Sequence, residues 1–194
     1  MMWLDAVAAV LSFFYLPIPV YWLLLHPLTR FWRGRHRAAL WIAFVAAWAL
    51  GAAYLWTLRE RLFAAATAPL WAIAVGMALI VLDVAVLFRV HRELGAARLV
   101  GQAELTGSGE LNTTGFYAHV RHPRYAAMMA GMAGVCLIAS TLLLWTTAAV
   151  WWLLVLVSIW FEERELLARF GEAYARYRAR VPAFLPLHIR PRDR

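Results

Sequence analysis

Two polar clusters stand at the borders of long apolar runs: Arg121-His122-Pro123-Arg124-Tyr125 and Glu162-Glu163. A guanidinium and an imidazole can grip a carboxylate, and a carboxylate can accept from an ammonium or from ribose hydroxyls. Gathered above an apolar floor, these groups would suit a small zwitterionic or cationic ligand. Between the clusters, Tyr125 to Phe161 is a run of 37 residues without a charge. As one helix it would be about 56 Å long, while a bilayer core of about 30 Å needs about 20 residues. Two crossings with a tight turn near Leu142 fit the run. In such a hairpin, positions summing to about 285 lie at equal depth, which sets His122 opposite Glu163.

A plainer account of the same charges stays open. Arg121 and Arg124 also suit positive-inside anchors, and Glu162 and Glu163 their rim partners, since charges gather at span ends in any membrane protein. Two adjacent carboxylates at a membrane boundary are nevertheless costly unless paired or serving a ligand. Ala126, Ala127, Ala130, Gly131, Ala133 and Gly134 crowd the start of the fourth span, and such small residues admit either a neighbouring helix or a flat ligand. Asp83 is the one ionisable residue deep in a span, read either as functional or as a protonated acid bonded to a neighbouring helix. Cys136 reads as a small core residue. His91, His119 and His122 match no zinc spacing, so no metal is expected; His119 and His188 read as polar tips at the interface.

The elements that must carry these residues follow from composition. Of 194 residues, 64% are apolar and 15% charged, too apolar for a water-soluble domain or a disordered chain. The single Cys excludes a disulfide framework. Nineteen Arg and no Lys give a net charge of +8; in so apolar a chain this points to membrane topology and not to nucleic acid. Trp3–Leu25, Ala38–Leu58 and Leu70–Phe88 precede the hairpin, so the expected fold is an all-α integral membrane protein of about five spans. Pro17 and Pro19 should kink or break the first span. The first Arg is Arg30, so the chain lacks the basic n-region of a signal and that span is not read as a cleaved one. Arg collects after spans one, three and five, which sets the N-terminus outside and the C-terminus in the cytoplasm; Arg59 and Arg61 dissent.

Residues 1–194 read as a single membrane domain, with 1–88 a scaffold and 89–194 the functional half. The connection from His91 to Arg124 is longer than most; its Gly107-Ser-Gly109 is a very weak nucleotide signature and reads better as a turn. Glu162 to Arg180 has the period of an amphipathic helix, with Leu166, Leu167, Phe170, Tyr174 and Tyr177 on one face, stopped by Val181-Pro182.

Gly115-Phe-Tyr117, Val120-Arg-His-Pro-Arg-Tyr125, the hydrophobic hairpin, Glu162-Glu163-x-x-Leu166, Phe170-Gly171, Tyr174, Tyr177 and Val181-Pro182, with His91-Arg-Glu-Leu-Gly95 upstream, resemble the isoprenylcysteine carboxyl methyltransferase family. That family's pattern is RHPxYxG, a hydrophobic stretch, then EE; Ala127 departs from its Gly. The resemblance covers about half the chain, residues 89 to 186. It implies an integral membrane enzyme that moves a methyl group from S-adenosylmethionine to a lipophilic acceptor, such as the carboxylate of an isoprenylcysteine-like or isoprenoid lipid, including a prenylated substrate. By resemblance His122, Tyr125, Tyr117, Pro123 and Glu163 would bind the cofactor, with Glu162 the alternative to Glu163 for its amine or ribose. Arg121 or Arg124 would orient an acceptor carboxylate, and Glu162 would serve as base for an amine. The connection after His91 and the tail after Glu163 would fold over as a lid. A phospholipid N-methyltransferase is the alternative; a nicotinamide-dependent sterol-reductase-like enzyme and a non-catalytic scaffold are more distant. The Arg-only basicity suggests a GC-rich, bacterial genome and an inner-membrane location among membrane lipids.

Overall fold

The computed structural model describes residues 2–32, 35–63, 68–95, 105–106 and 110–185. The Gly107–Gly109 turn, Arg98, His188 and the last three arginines lie outside them. Every regular element described is helical: α1 (Met2–Tyr15), α2 (Pro17–Leu25), the short α3 (Thr29–Trp32), α4 (His36–Leu62), α5 (Leu70–Leu94), α6 (Pro123–Ala139), α7 (Leu142–Phe170) and α8 (Glu172–Arg180). One-turn 3-10 helices cover His26–Leu28 and Gly115–Ala118. Together α1 and α2 form one apolar span, and with α4, α5 and α7 they make four helices long enough to cross a membrane; α6 is a shorter apolar helix. At 17 residues it is about 26 Å long, slightly short of the bilayer core.

The first span breaks where the prolines require it. Pro17 opens α2, where a missing N–H costs no internal bond, and Leu16 keeps helical angles between the two segments. The Pro17 ring packs against Gly51 of α4, where a Cβ would lie 2.8 Å from its Cγ. Helices α5 and α6 touch backbone to backbone. A Cβ on Gly76 would stand 2.6 Å from the Gly134 carbonyl oxygen, and one on Gly134 would stand 2.5 Å from that of Gly76. The small-residue stripe of α6 is therefore occupied, on this side, by a neighbouring helix.

The hairpin turns at Ser140, which is left-handed, and Thr141. Thr141 caps α7 by accepting from Leu144 N and donates to the Leu62 carbonyl at 2.6 Å, which fixes the turn beside the far end of α4. The tail departs from the pattern read in the sequence. Glu162 to Arg180 is not a single tail helix: the 29-residue α7 runs unbroken from the hairpin through Glu163 to Phe170. Its length, about 44 Å, exceeds the bilayer core, so its last turns stand clear of the apolar region. The break falls at Gly171, whose φ of 53° and ψ of −128° suit only glycine, and α8 starts there in a new direction. Likewise α5 continues past Phe88 to Leu94, so the connection to α6 is shorter than the sequence suggested.

Candidate active site

The chain enters α6 through His122, its N-cap residue, with Pro123 at the first helical position. The strand of chain before it pairs with the tail after α8: Arg121 N donates to the Pro182 carbonyl at 2.8 Å and His122 N to that of Ala183 at 3.0 Å. This holds the Arg-His-Pro turn against the end of α7. There His122 Nε2 lies 3.0 Å from Glu163 Oε1, the facing pair that the hairpin register requires.

Glu163 is the hub of this corner. Its Oε1 also accepts from Arg121 Nε at 2.9 Å and Nη2 at 2.7 Å, and its Oε2 lies 3.4 Å from Arg178 Nε. Arg121 turns its remaining nitrogen to the carbonyls of Val181, at 2.6 Å, and Arg178, at 3.1 Å. The guanidinium is thus spent on a carboxylate and on the C-terminal carbonyls of α8, where a cation also answers the helix dipole. Both partners are nearly buried, so the pair is screened little by salt.

A cavity of about 370 Å³ opens beside this corner. Tyr117, Arg121, His122, Arg124, Tyr125 and Glu162 all line it, whereas Glu163 and Pro123 stand behind its wall. Of the twin glutamates, Glu163 fastens the frame and Glu162 faces the space. The Glu162 Oε2 and the hydroxyl of Tyr174 are buried with no hydrogen-bond partner among the described residues. A buried carboxylate oxygen and phenol left unmade are costly unless a ligand completes them. From sequence alone Tyr174, on the apolar face of the tail helix, reads only as a packing residue.

The first half of the chain also contributes to the wall. Ile18, Tyr21, Trp22 and His26 from the first span, and Phe44 and Trp48 from α4, complete it. Residues of the first 88 thus supply part of the cavity wall. The signal was present as aromatic residues four apart, Trp22 with His26 and Phe44 with Trp48, each pair stacked at 5.0 Å and 4.4 Å. His26 Nδ1 meets Glu165 Oε2 at 3.0 Å, which ties the end of the first span to α7.

The Tyr117 turn is held from two sides. Glu93 of α5 accepts from Phe116 N at 3.3 Å, over the positive-φ Gly115, and Tyr177 of α8 donates to the Tyr117 carbonyl at 2.7 Å. Burial pushes the phenols of Tyr117 and Tyr174 well above their ordinary range, reinforced by the Glu162 charge in Tyr117 and by the Glu163 charge in Tyr174; burial raises Tyr177 to about 12 against the opposing Arg121 charge. All three stay neutral donors at physiological pH. Deeper in the bundle, Asp83 pairs with Arg124 and accepts from the Tyr15 hydroxyl at 2.5 Å. His91 and His119 are exposed, and the described residues hold no group of His, Cys, Asp and Glu able to bind a metal. Cys136 is buried in the core.

Comparison with known proteins reaches the same half of the molecule. Residues 71–173, just over half the chain, match the phospholipid methyltransferase family. Over 81 residues the chain is 37% identical to the protein-S-isoprenylcysteine O-methyltransferase of Schizosaccharomyces pombe, covering 40% of this chain and 33% of that protein. Over 79 residues it is 34% identical to the methanethiol S-methyltransferase of Crocosphaera subtropica, covering 40% of this chain and 29% of that one. The aligned stretch thus spans about a third of each relative's own length. No solved structure matches.

Proposed function

Because the chain belongs to the phospholipid methyltransferase family, we propose that it is an integral membrane methyltransferase that uses S-adenosylmethionine to methylate a lipophilic acceptor, best fitted by the carboxylate of an isoprenylcysteine-like or isoprenoid lipid. The observation that carries this reading is the cavity that joins the Arg-His-Pro turn, the unpartnered Glu162 and Tyr174 groups and an aromatic wall from the first two spans.

The residues present fit the cofactor. Its amino-acid end carries one anion and one cation, and its nucleoside end carries hydroxyls and a flat ring. His122 suits the carboxylate, Glu162 Oε2 the ammonium or ribose hydroxyls, and the Tyr174 phenol is a further donor. Tyr117 and Tyr125 supply flat faces. The volume lies in the range of small-molecule sites, about 300–1,000 Å³. Glu163 acts through His122 and Arg121, whose orientation it fixes, and Pro123 sets the turn that carries both. When bound, S-adenosylmethionine supplies an electrophilic methyl on a sulfonium, which is released as a neutral thioether.

The chain's part is positioning and desolvation, since a carboxylate is already a nucleophile and needs no base. Arg124 orients that carboxylate; Arg121, already committed to Glu163, serves the frame. Phe44 and Trp48 receive the apolar tail from the bilayer side. An amine acceptor is the second reading: there Glu162 Oε2, which has no partner among the described residues, would serve as the acceptor's base in place of its cofactor role. The site lies at the arginine-rich end of the bundle, which supports a cytoplasmic site and C-terminus and an outside N-terminus; the Arg-only basicity favours a bacterial inner membrane as the setting.

The test is binding of S-adenosylhomocysteine to the purified protein, followed as a thermal shift. The wild type should be stabilised, and Glu162→Gln should lose about tenfold or more in affinity, the worth of one charge-assisted bond, with its melting temperature unchanged in the absence of ligand. No shift with the wild type, or a shift with NADPH in its place, would remove the proposal.

A further inference from the structure

A second polar node lies in the bundle interior, away from the Glu163 corner. Asp83, in the middle of α5, is 3% exposed. One of its oxygens meets the Arg124 guanidinium and the other accepts from the Tyr15 hydroxyl at 2.5 Å. Tyr15 ends α1, and its carbonyl accepts from the Trp151 indole of α7 at 2.9 Å. Gly131 of α6 leaves the room for this crossing, since a Cβ there would collide with the Tyr15 hydroxyl. Residues from four helices thus fix one carboxylate, whose burial would be costly unpaired.

Arg124 lines the cavity, and its side chain is 20% exposed. Among the described residues Asp83 is its one polar partner and engages Nη1 alone. The guanidinium is planar and rigid, so fixing one nitrogen aims the others. Its nitrogens only donate, so the group they receive has to be an acceptor, and the N-terminus of α6 adds positive potential. Arg121, with donors given to Glu163 and two carbonyls, is not equivalent. Position 124 is also the unspecified place in RHPxY, so the arrangement is this chain's own.

We propose that Asp83 and Tyr15 are positioning residues that hold Arg124 at the cavity wall as the reader of an anionic acceptor head, a carboxylate in the first instance. This rests on the methyltransferase reading and narrows it. Charge-conserving variants isolate position from charge: Asp83→Glu lengthens the arm by one methylene, and Tyr15→Phe removes one bond.

The experiment measures binding of N-acetylated S-farnesylcysteine, as free acid and as neutral methyl ester, to the full chain by tryptophan fluorescence. S-adenosylhomocysteine binding is measured in parallel. The wild type should prefer the acid by about tenfold or more, the worth of a charge-assisted contact. Arg124→Gln should erase the preference; Asp83→Glu should remove most of it and Tyr15→Phe should reduce it several-fold, these last two with unchanged affinity for S-adenosylhomocysteine. A merely structural role would weaken acid and ester alike and leave their ratio fixed. Equal binding of acid and ester by the wild type overturns the proposal, and so does an unchanged ratio in the variants. If Asp83→Glu fails to fold, Tyr15→Phe decides alone. Loss of S-adenosylhomocysteine binding in the wild type would instead strike the methyltransferase reading.

Discussion

Glu163 offers the sharpest test of how the site is built. Its carboxylate receives two bonds from Arg121 and lies 3.0 Å from His122, and its side chain is 12% exposed. Glu163→Ala leaves a nearly buried guanidinium with only carbonyl partners. Breaking a buried pair by removing one member costs about 3–5 kcal/mol, far above the 0–1 kcal/mol or so of an exposed pair. For a chain of this size that is a fall of about 6–20 °C in melting temperature, measured by scanning fluorimetry in detergent. Because the pair is sheltered, the fall should persist when salt is raised from about 0.1 M to about 1 M. Arg121→Ala combined with Glu163→Ala should cost less than the two single changes added together, since neither charge is then stranded. S-adenosylhomocysteine affinity should fall too, through the loosened His122. A Glu163→Ala protein that melts at the wild-type temperature would show that the corner is an exposed rim pair and not part of the frame.

Other consequences concern the framework. Gly76→Ala and Gly134→Ala each aim a Cβ at a facing carbonyl oxygen, so each should cost about 1–3 kcal/mol or more by overpacking, seen as a lower melting temperature. Gly171→Ala meets no neighbour, yet it places a side chain at a φ of 53°; a strain of about 1–3 kcal/mol should loosen α8 and speed proteolysis after Phe170. Raised phenol pKa values make the folded state the tighter proton binder, so this stabilisation is intact below the ordinary tyrosine value of 10.0 and is lost as pH rises through about 12 for Tyr177. A thermal scan against pH should be insensitive to these tyrosines below 10.0 and decline above it; a constant melting temperature through 12 would contradict their burial.

Much of the architecture was legible because a bilayer converts composition into length. The uncharged run from Tyr125 to Phe161 is too long for one crossing and too short for three, so the hairpin and the meeting of His122 with Glu163 follow from counting. Proline chemistry likewise located the break in the first span. The chain could not show where α7 would end: charged residues after Glu162 are compatible with a new helix or a continued one, and only the conformation taken at Gly171 decides between them. Nor could it divide labour within like pairs. Glu162 and Glu163 are chemically identical, and a rotation of about 100° per residue turns one to the cavity and the other to Arg121 and His122. Arg121 and Arg124 are separated in the same way, one by the carbonyls at the end of α8 and the other by Asp83, which is distant in sequence. Residue types fix which interactions are possible, and spacing fixes which faces are shared; which neighbour reaches a side chain first depends on contacts between helices far apart in the chain. For this protein the kind of chemistry was written locally, and the assignment of each polar group to frame or cavity was made by packing.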